Sequence, residues 1–343
     1  ATPSNPAVYL GAILGTLAQQ GRDKLVLFCS PSIATFGNWV EQLVAESTGK
    51  EGRGILPVVG STTGKPHDYA SDRFFVYLKL EGDPGNAELD EGVKALREAG
   101  HPRLTLLLKD KYALGGEFFR WEFATAVAGQ MLAINPFDEP NVTESKQNTS
   151  RLIDQYVKEG ALPKSQPTLE QNGVALYSTE TTLAPLKAIG SQHGFDTQNL
   201  VQLLAAQILG TNAGDYFAIL AYLPPSPEMD THLEDLQRRL RHVTRRAVTV
   251  GYGPRYLHST GQLHKGGANN GVFLLLTHDQ GQDVAIPDSA YSFGILNDAQ
   301  AAGDFEALDT HKRRVMRLHL NGNVNAGLDV LVSAIDFAKE RSS

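Results

Sequence analysis

The chain has 343 residues, 41% of them hydrophobic and 20% charged, with a formal net charge of −7. That is globular composition at a length that suggests two domains. The acidic balance argues against a nucleic-acid surface, which needs a concentrated basic face. A single cysteine, Cys29, excludes a disulfide framework and fits a cytoplasmic compartment.

No apolar run approaches the length that spans a membrane. The opening ATPSNPAVYL has no basic segment followed by an apolar core, so no intact secretory signal is expected there. It also lacks an initiating Met, which a removed Met, a processed precursor or a fragment would each explain.

In chain order, the spacing of apolar residues predicts a helix over 7–20 and a strand over Lys24–Phe28, ended by Ser30-Pro31. Cys29, inside LVLFCS, reads as a buried structural thiol. Thr35–Glu46 reads as an amphipathic helix with Phe36, Trp39, Val40 and Leu43 on one stripe. Strands follow at Ile55–Val59, Phe74–Leu80 and Thr105–Leu108, with a helix over Leu89–Ala99 between the last two. Gly116–Leu132 has few charges and reads as a largely buried helix. A helix over Ser150–Glu159 then leads into a polar linker.

The second half repeats the theme. Strands are expected at Asp215–Tyr222, Ala247–Tyr252, Gly271–Thr277 and Val315–Leu320, with helices over Asp230–Arg246, Asn297–Ala302 and Leu328–Lys339. Strands alternating with helices mean parallel sheets with crossovers, an α/β class. Each half runs strand, helix, strand, Gly/Ser/Thr loop, strand, which suggests two related halves descended from a duplication.

Four polar segments stand out. Gly60-Ser61-Thr62 follows the strand ILPVV, and Lys65 closes that loop. In open α/β sheets ligands bind beyond the carboxyl ends of strands, and such residues can offer N–H and hydroxyl groups to a phosphate. The spacing is too short for a P-loop, and a surface turn is the alternative. ESTGK (46–50) closes a long helix. Gly49 there suits a left-handed C-cap and Lys50 suits the negative end of the dipole, while Glu46, Ser47 and Thr48 need another reason.

INPFDEPNVTESK (134–146) sets Lys146 at the opening of the next helix, against the dipole, as if to hold an anionic or oxyanionic group, with a solvated surface lysine as the alternative. The run 252–270 gathers Arg255, His258, Ser259, Thr260, Gln262, His264 and Lys265, the densest polar constellation in the chain. Histidine there suits acid/base work. No neighbouring carboxylate or Cys completes a metal ligand set around His258 and His264, so no metal is expected. A solvated loop is the alternative. The other eight histidines read as ordinary surface or satisfied residues.

These residues carry a family likeness. ESTGK, ILPVVG and INPFDEPNVTESK resemble phosphoglucose isomerase, the last resembling the signature N-x-F-D-Q-x-G-V-E-x-x-K. FGNWVEQLVAESTGKEGRG, DRFFVYL, WEFATAVAG and GPRYLHSTGQLHKGG look like the isomerase part of bifunctional transaldolase/phosphoglucose isomerases. The resemblance implies doubly wound parallel sheets of the sugar-isomerase type. It divides the chain into a second sugar-isomerase subdomain over 1–160, a linker over 161–180 and a C-terminal α/β domain over 181–343.

It also implies interconversion of glucose 6-phosphate and fructose 6-phosphate through an enediol, with no cofactor. By motif match Lys146 takes the ring-opening, substrate-binding role. Glu46 and His264 are the candidate bases, and Ser47, Thr48, Gly60, Ser61, Thr62, Arg255, His258, Ser259, Thr260, Gln262 and Lys265 the candidate substrate contacts.

Three departures stand against the pattern. Ser61 occupies the place of the family's Glu base, and a serine cannot hold a proton as a carboxylate does. The signature's Gln, Gly and Glu are Glu139, Asn141 and Thr143. The first sugar-isomerase subdomain, with its G-G-R-[FY]-S run, is not found. The expected partners are therefore a sugar phosphate and a first isomerase half or larger assembly. The alternative is a catalytically impaired homologue kept as a binding or structural subunit. Transaldolase chemistry is not expected, because no eight-fold βα pattern is seen.

Overall fold

The structure, a computed structural model, describes residues 5–342. Residues 1–4 of the stretch read for a secretory signal lie outside them. The chain forms two compact units. Among the described residues the first comprises 5–141 and 258–268, and the second 142–257 and 269–342.

The first unit opens with α1 (Pro6–Gln19), whose N-terminus is capped by Asn5 accepting from the Ala7 N–H. There follow β1 (Lys24–Cys29), α2 (Thr35–Thr48), β2 (Leu56–Val58), β3 (Arg73–Leu80), α3 (Asn86–Glu98), β4 (Arg103–Leu108) and α4 (Leu114–Leu132). The four strands form one parallel sheet in the order β2-β1-β3-β4. Strands β1 and β3 are buried almost throughout, as parallel strands covered on both faces must be. Leu25, Leu27, Phe74, Val76 and Leu78 join Leu10, Val40 and Trp121 in one core, while Phe28 and Phe75 stack on the alternate side.

Burial pushes the Cys29 thiol up to about 12, only partly offset by the Gly37 N–H. The thiolate is the reactive form. Cys29 is therefore expected to resist a thiol reagent at neutral pH in the native protein and to react at once in denaturant. Rapid native labelling would contradict this.

The second unit contains α5 (Val142–Glu159), β5 (Leu169–Gln171), β6 (Val174–Tyr177), α6 (Glu180–Gln192), α7 (Leu200–Leu209), β7 (Tyr216–Ala221), α8 (Pro227–Thr244) and β8 (Ala247–Tyr252). After the excursion through 258–268 come β9 (Gly271–His278), α10 (Phe293–Thr310), β10 (Arg314–Leu320) and α11 (Val324–Arg341). Its sheet runs β5-β6-β10-β9-β7-β8, with β10, β9, β7 and β8 parallel and β6 antiparallel to β10. Setting β7, β8, β9 and β10 beside β1, β2, β3 and β4 gives the same order in both units. The repeat seen in the sequence thus recurs as topology.

Several expectations change. The compact units do not divide where the sequence reading put the boundary. Helix α5 groups with the second unit, and 161–180 contains β5 and β6 rather than only linker. Helix α5 begins at Val142, so Lys146 lies beyond its first turn and the dipole argument at that position weakens. Helix α4 is not largely buried: Phe118, Phe119 and Phe123 are 40, 63 and 37% exposed. Its lack of charge covers an aromatic outer face as well as a core face.

Candidate functional site

The residues singled out by sequence do not all play one part. In the first unit, Thr48 is buried at the end of α2. Its hydroxyl donates to the Val44 carbonyl at 2.7 Å and accepts from the Ile55 N–H at 3.0 Å. It therefore ties the helix to the entry of β2.

Gly49 is not in the left-handed region expected of a C-cap; its φ is −79°. Its reason is close approach. A Cβ there would stand 2.3 Å from Cα and Cβ of Leu263 and 2.7 Å from the Ala45 carbonyl. Lys50 does not simply face the helix dipole either. It is 1% exposed, and its ammonium meets Asp138 Oδ1 at 2.8 Å and also the Asp138 carbonyl. The hydrogen bond from Lys50 holds the Asp138 carboxyl below the usual range.

The run 258–268 is not a solvated loop. Arg255–His258 is a short 3-10 turn, and Gly261–Gly266 is helix α9. Ser259, Thr260, Gln262, His264 and Lys265 are all buried, whereas Arg255 and His258 are exposed. Gln262 is fully enclosed. Its amide nitrogen donates to the Gly49 carbonyl and to Asn141 Oδ1, both at 2.9 Å, and its carbonyl accepts from the Asn141 N–H at 2.9 Å. The Gly52 N–H donates to the Gly266 carbonyl at 2.9 Å. A Cβ on Gly266 would collide with Asn141 Oδ1 at 2.4 Å. The structure therefore brings ESTGK, the end of the 134–141 segment and α9 together around one buried glutamine.

Glu46 and Ser47 sit half-buried on the last turn of α2, next to this junction. Gln42 donates to Glu46 Oε2 at 3.5 Å. The loop after β2 is separately anchored. The Gly64 N–H donates to the Tyr69 hydroxyl and the Lys65 N–H to Asp68 Oδ2. Gly92 on α3 leaves room for Thr63, to which a Cβ would come within 2.7 Å. Gly60 is exposed with φ +68°, where glycine avoids steric cost. The Ser61 hydroxyl is buried and makes no hydrogen bond among the described residues. Thr62 is exposed. Lys146 and Arg255, both exposed, belong to the second unit.

Sequence reasoning missed a polar knot at the carboxyl ends of β1 and β3, where the strand order reverses. Ser30, fully buried, donates to Asn86 Oδ1 at 2.5 Å and accepts from the Leu80 N–H at 2.8 Å. Tyr77 donates to the same Asn86 oxygen at 3.0 Å, and the Asn86 amide returns a bond to the Leu80 carbonyl. Burial pushes the Tyr77 phenol up to about 12. The Ser-Pro at 30–31 marked the end of a strand but gave no sign of this network.

No protein-family model matches the chain. It is similar to the glucose-6-phosphate isomerases of Streptococcus pyogenes serotype M18 (strain MGAS8232) and serotype M5 (strain Manfredo). In each case it is 26% identical over 185 residues, covering 43% of this chain and 41% of the relative. The chain thus matches about two fifths of the length of these curated relatives. Among solved structures, a hypothetical protein from Thermus thermophilus has 14% identity, with 100% of this chain and 85% of that one covered and a TM-score of 0.36. A putative phosphosugar isomerase from Salmonella typhimurium LT2 has 11% identity, with 100% and 94% covered and a TM-score of 0.28.

Proposed function

We propose that the chain is an aldose–ketose isomerase of sugar phosphates, interconverting glucose 6-phosphate and fructose 6-phosphate as part of a larger or split cytoplasmic enzyme. The observation that carries this reading is the similarity to glucose-6-phosphate isomerases. The reaction moves a proton from C2 to C1 and a hydroxyl proton from O2 to O1. A base takes the C2 proton of the open-chain aldose while O1 gains a proton, which gives the enediol; O2 then loses its proton and C1 takes one back from the protonated base. Glu46, a half-buried carboxylate beside the α9 junction, is the base in this reading. His264 assists ring opening in this reading.

Ser47, Gly60, Ser61 and Thr62 supply hydroxyl and N–H groups to the sugar phosphate, and His258, Ser259, Thr260 and Lys265 supply its further contacts. Thr48 and Gln262 act as positioning residues, because their polar atoms already bond within the protein.

The test is exchange of the C2 proton of glucose 6-phosphate with deuterated solvent. Glu46→Gln is expected to slow it by about 10²–10⁴-fold, with the variant's folding checked by its denaturation midpoint. An unchanged rate would remove Glu46 as the base. A second reading is favoured by Ser61, which stands where the resemblance places a carboxylate. In that reading the chain binds sugar phosphates without isomerising them and serves as a subunit of an assembly. It predicts saturable binding and no exchange.

A further inference from the structure

A cavity of about 820 Å³ in the second unit is lined by none of the residues considered above for the isomerase reaction. Its floor is the polar face of the sheet. His319 is in register with Thr277, and Arg317 with Tyr177, so these side chains emerge on one face. The alternate residues, such as Leu318 and Leu276, go to the hydrophobic core. Helix α10 and the segment 160–166 form the walls. The volume falls within the range of roughly 300–1,000 Å³ typical of small-molecule sites.

Arg317 is the unusual feature. Its guanidinium lies on the ring of Tyr177, 4.0 Å from the centroid. Its Nε is buried and has no hydrogen-bond partner, and the side chain makes no ion pair among the described residues. The residue as a whole is half-buried, so its Nε has lost water without gaining a hydrogen-bond partner, which costs stability. Stacking on an aromatic ring offsets part of that cost and leaves the planar N–H edge for an acceptor.

His319 is held at both nitrogens, by Thr277 Oγ1 at 3.0 Å and Asp279 Oδ1 at 3.1 Å. Lys164 adds a second cation at the rim. Of the two carboxylates in the lining, Glu306 is paired with Arg151, and Asp298 accepts from Gln280 at 3.0 Å. Burial raises the Asp298 carboxyl against the pull of His319, His278 and Arg317, so this carboxylate faces the cations of the cavity.

We propose that this cavity binds the phosphate group of a small organic phosphate, with Arg317 as its main ligand and Lys164 as the second cation. A forked guanidinium suits phosphate oxygens, and two cations suit a dianion better than a single carboxylate. The proposal does not depend on the isomerase reading.

The experiment is hydrogen–deuterium exchange on the full chain with inorganic phosphate, glucose 6-phosphate, glucose or malonate, paired with thermal shift titrations. Both phosphates are expected to protect peptides from 160–179 and 293–306, with glucose and malonate inert there. Arg317→Gln should weaken the titrated affinity at least about tenfold. Arg317→Lys, which keeps the charge but not the fork, should lose part of it. If Arg317→Gln does not fold, Arg317→Lys and the exchange map of the unaltered chain decide. The proposal fails if protection is confined to 46–65 and 258–268. It fails equally if malonate alone protects, if the Arg317 variants bind unchanged, or if phosphate has no saturable effect.

Discussion

Gly49→Ala is expected to destabilise the protein by about 3 kcal/mol and to abolish sugar-phosphate binding at the Glu46 turn. Overpacking a tight contact typically costs roughly 1–3 kcal/mol and occasionally more. Here the added methyl meets the Cα of Leu263 at 2.3 Å, and backbone cannot rotate aside as a long side chain would. Relief requires α9 to move off α2, which also breaks the bond from Gln262 to the Gly49 carbonyl. Gly115→Ala is the control. It lies in α4 with nothing within 4 Å of its Cβ position, so it should be neutral or slightly stabilising. Urea midpoints with unchanged slopes measure both. Equal behaviour of the two variants would contradict the close-approach reading of Gly49.

Gln262→Leu has the second large effect, about 2–4 kcal/mol. It leaves the Gly49 carbonyl and the Asn141 N–H without their partner, and each buried unsatisfied group costs roughly 1–3 kcal/mol. Gln262→Glu should be worse at neutral pH, because it sets a negative charge against the Gly49 carbonyl and Asn141 Oδ1. The introduced carboxyl would have its pKa raised by folding. Its deficit should therefore shrink as pH falls through that raised pKa, recovering towards the Leu value. Denaturation midpoints across acid pH read this directly. A Glu variant as stable as the parent at pH 7 would show that the amide donor is not needed.

Much of the fold was legible because the strands announce themselves. KLVLF, FFVYLKL, YFAILA and VFLLLT are apolar runs of strand length, and the helices between them carry a helical period. The order of polar loops even exposed the repeated topology. Helix α7, LVQLLAAQIL, is buried almost all round, so no polar stripe betrays its period. Helix α6 contains Pro185 and lacks a simple stripe. The short β5 and β6 sit inside a polar stretch that reads as linker.

The candidate site was legible as a set of segments but not as an arrangement. Composition singled out 46–50 and 258–265, and Gln262 bonds the Gly49 carbonyl in the fold. Composition could not show that Thr48 and Gln262 serve the scaffold, because that depends on which polar groups each one meets in the fold. Gly49 was noticed for the wrong reason, since a glycine needed for contact and one needed for positive φ look alike in sequence. Arg317 and His319 gave no signal at all. They alternate with core residues on an ordinary-looking strand, and only pairing with β6 and β9 puts them in one cavity.

The measurement that bears most directly on the account is a coupled assay of the purified chain with fructose 6-phosphate, following glucose 6-phosphate. The isomerase reading predicts turnover above the protein-free rate that disappears in Glu46→Gln while the fold persists. Absence of turnover in a folded chain that still binds sugar phosphate would contradict catalysis by this chain alone and leave it as a binding subunit or as one part of a split enzyme.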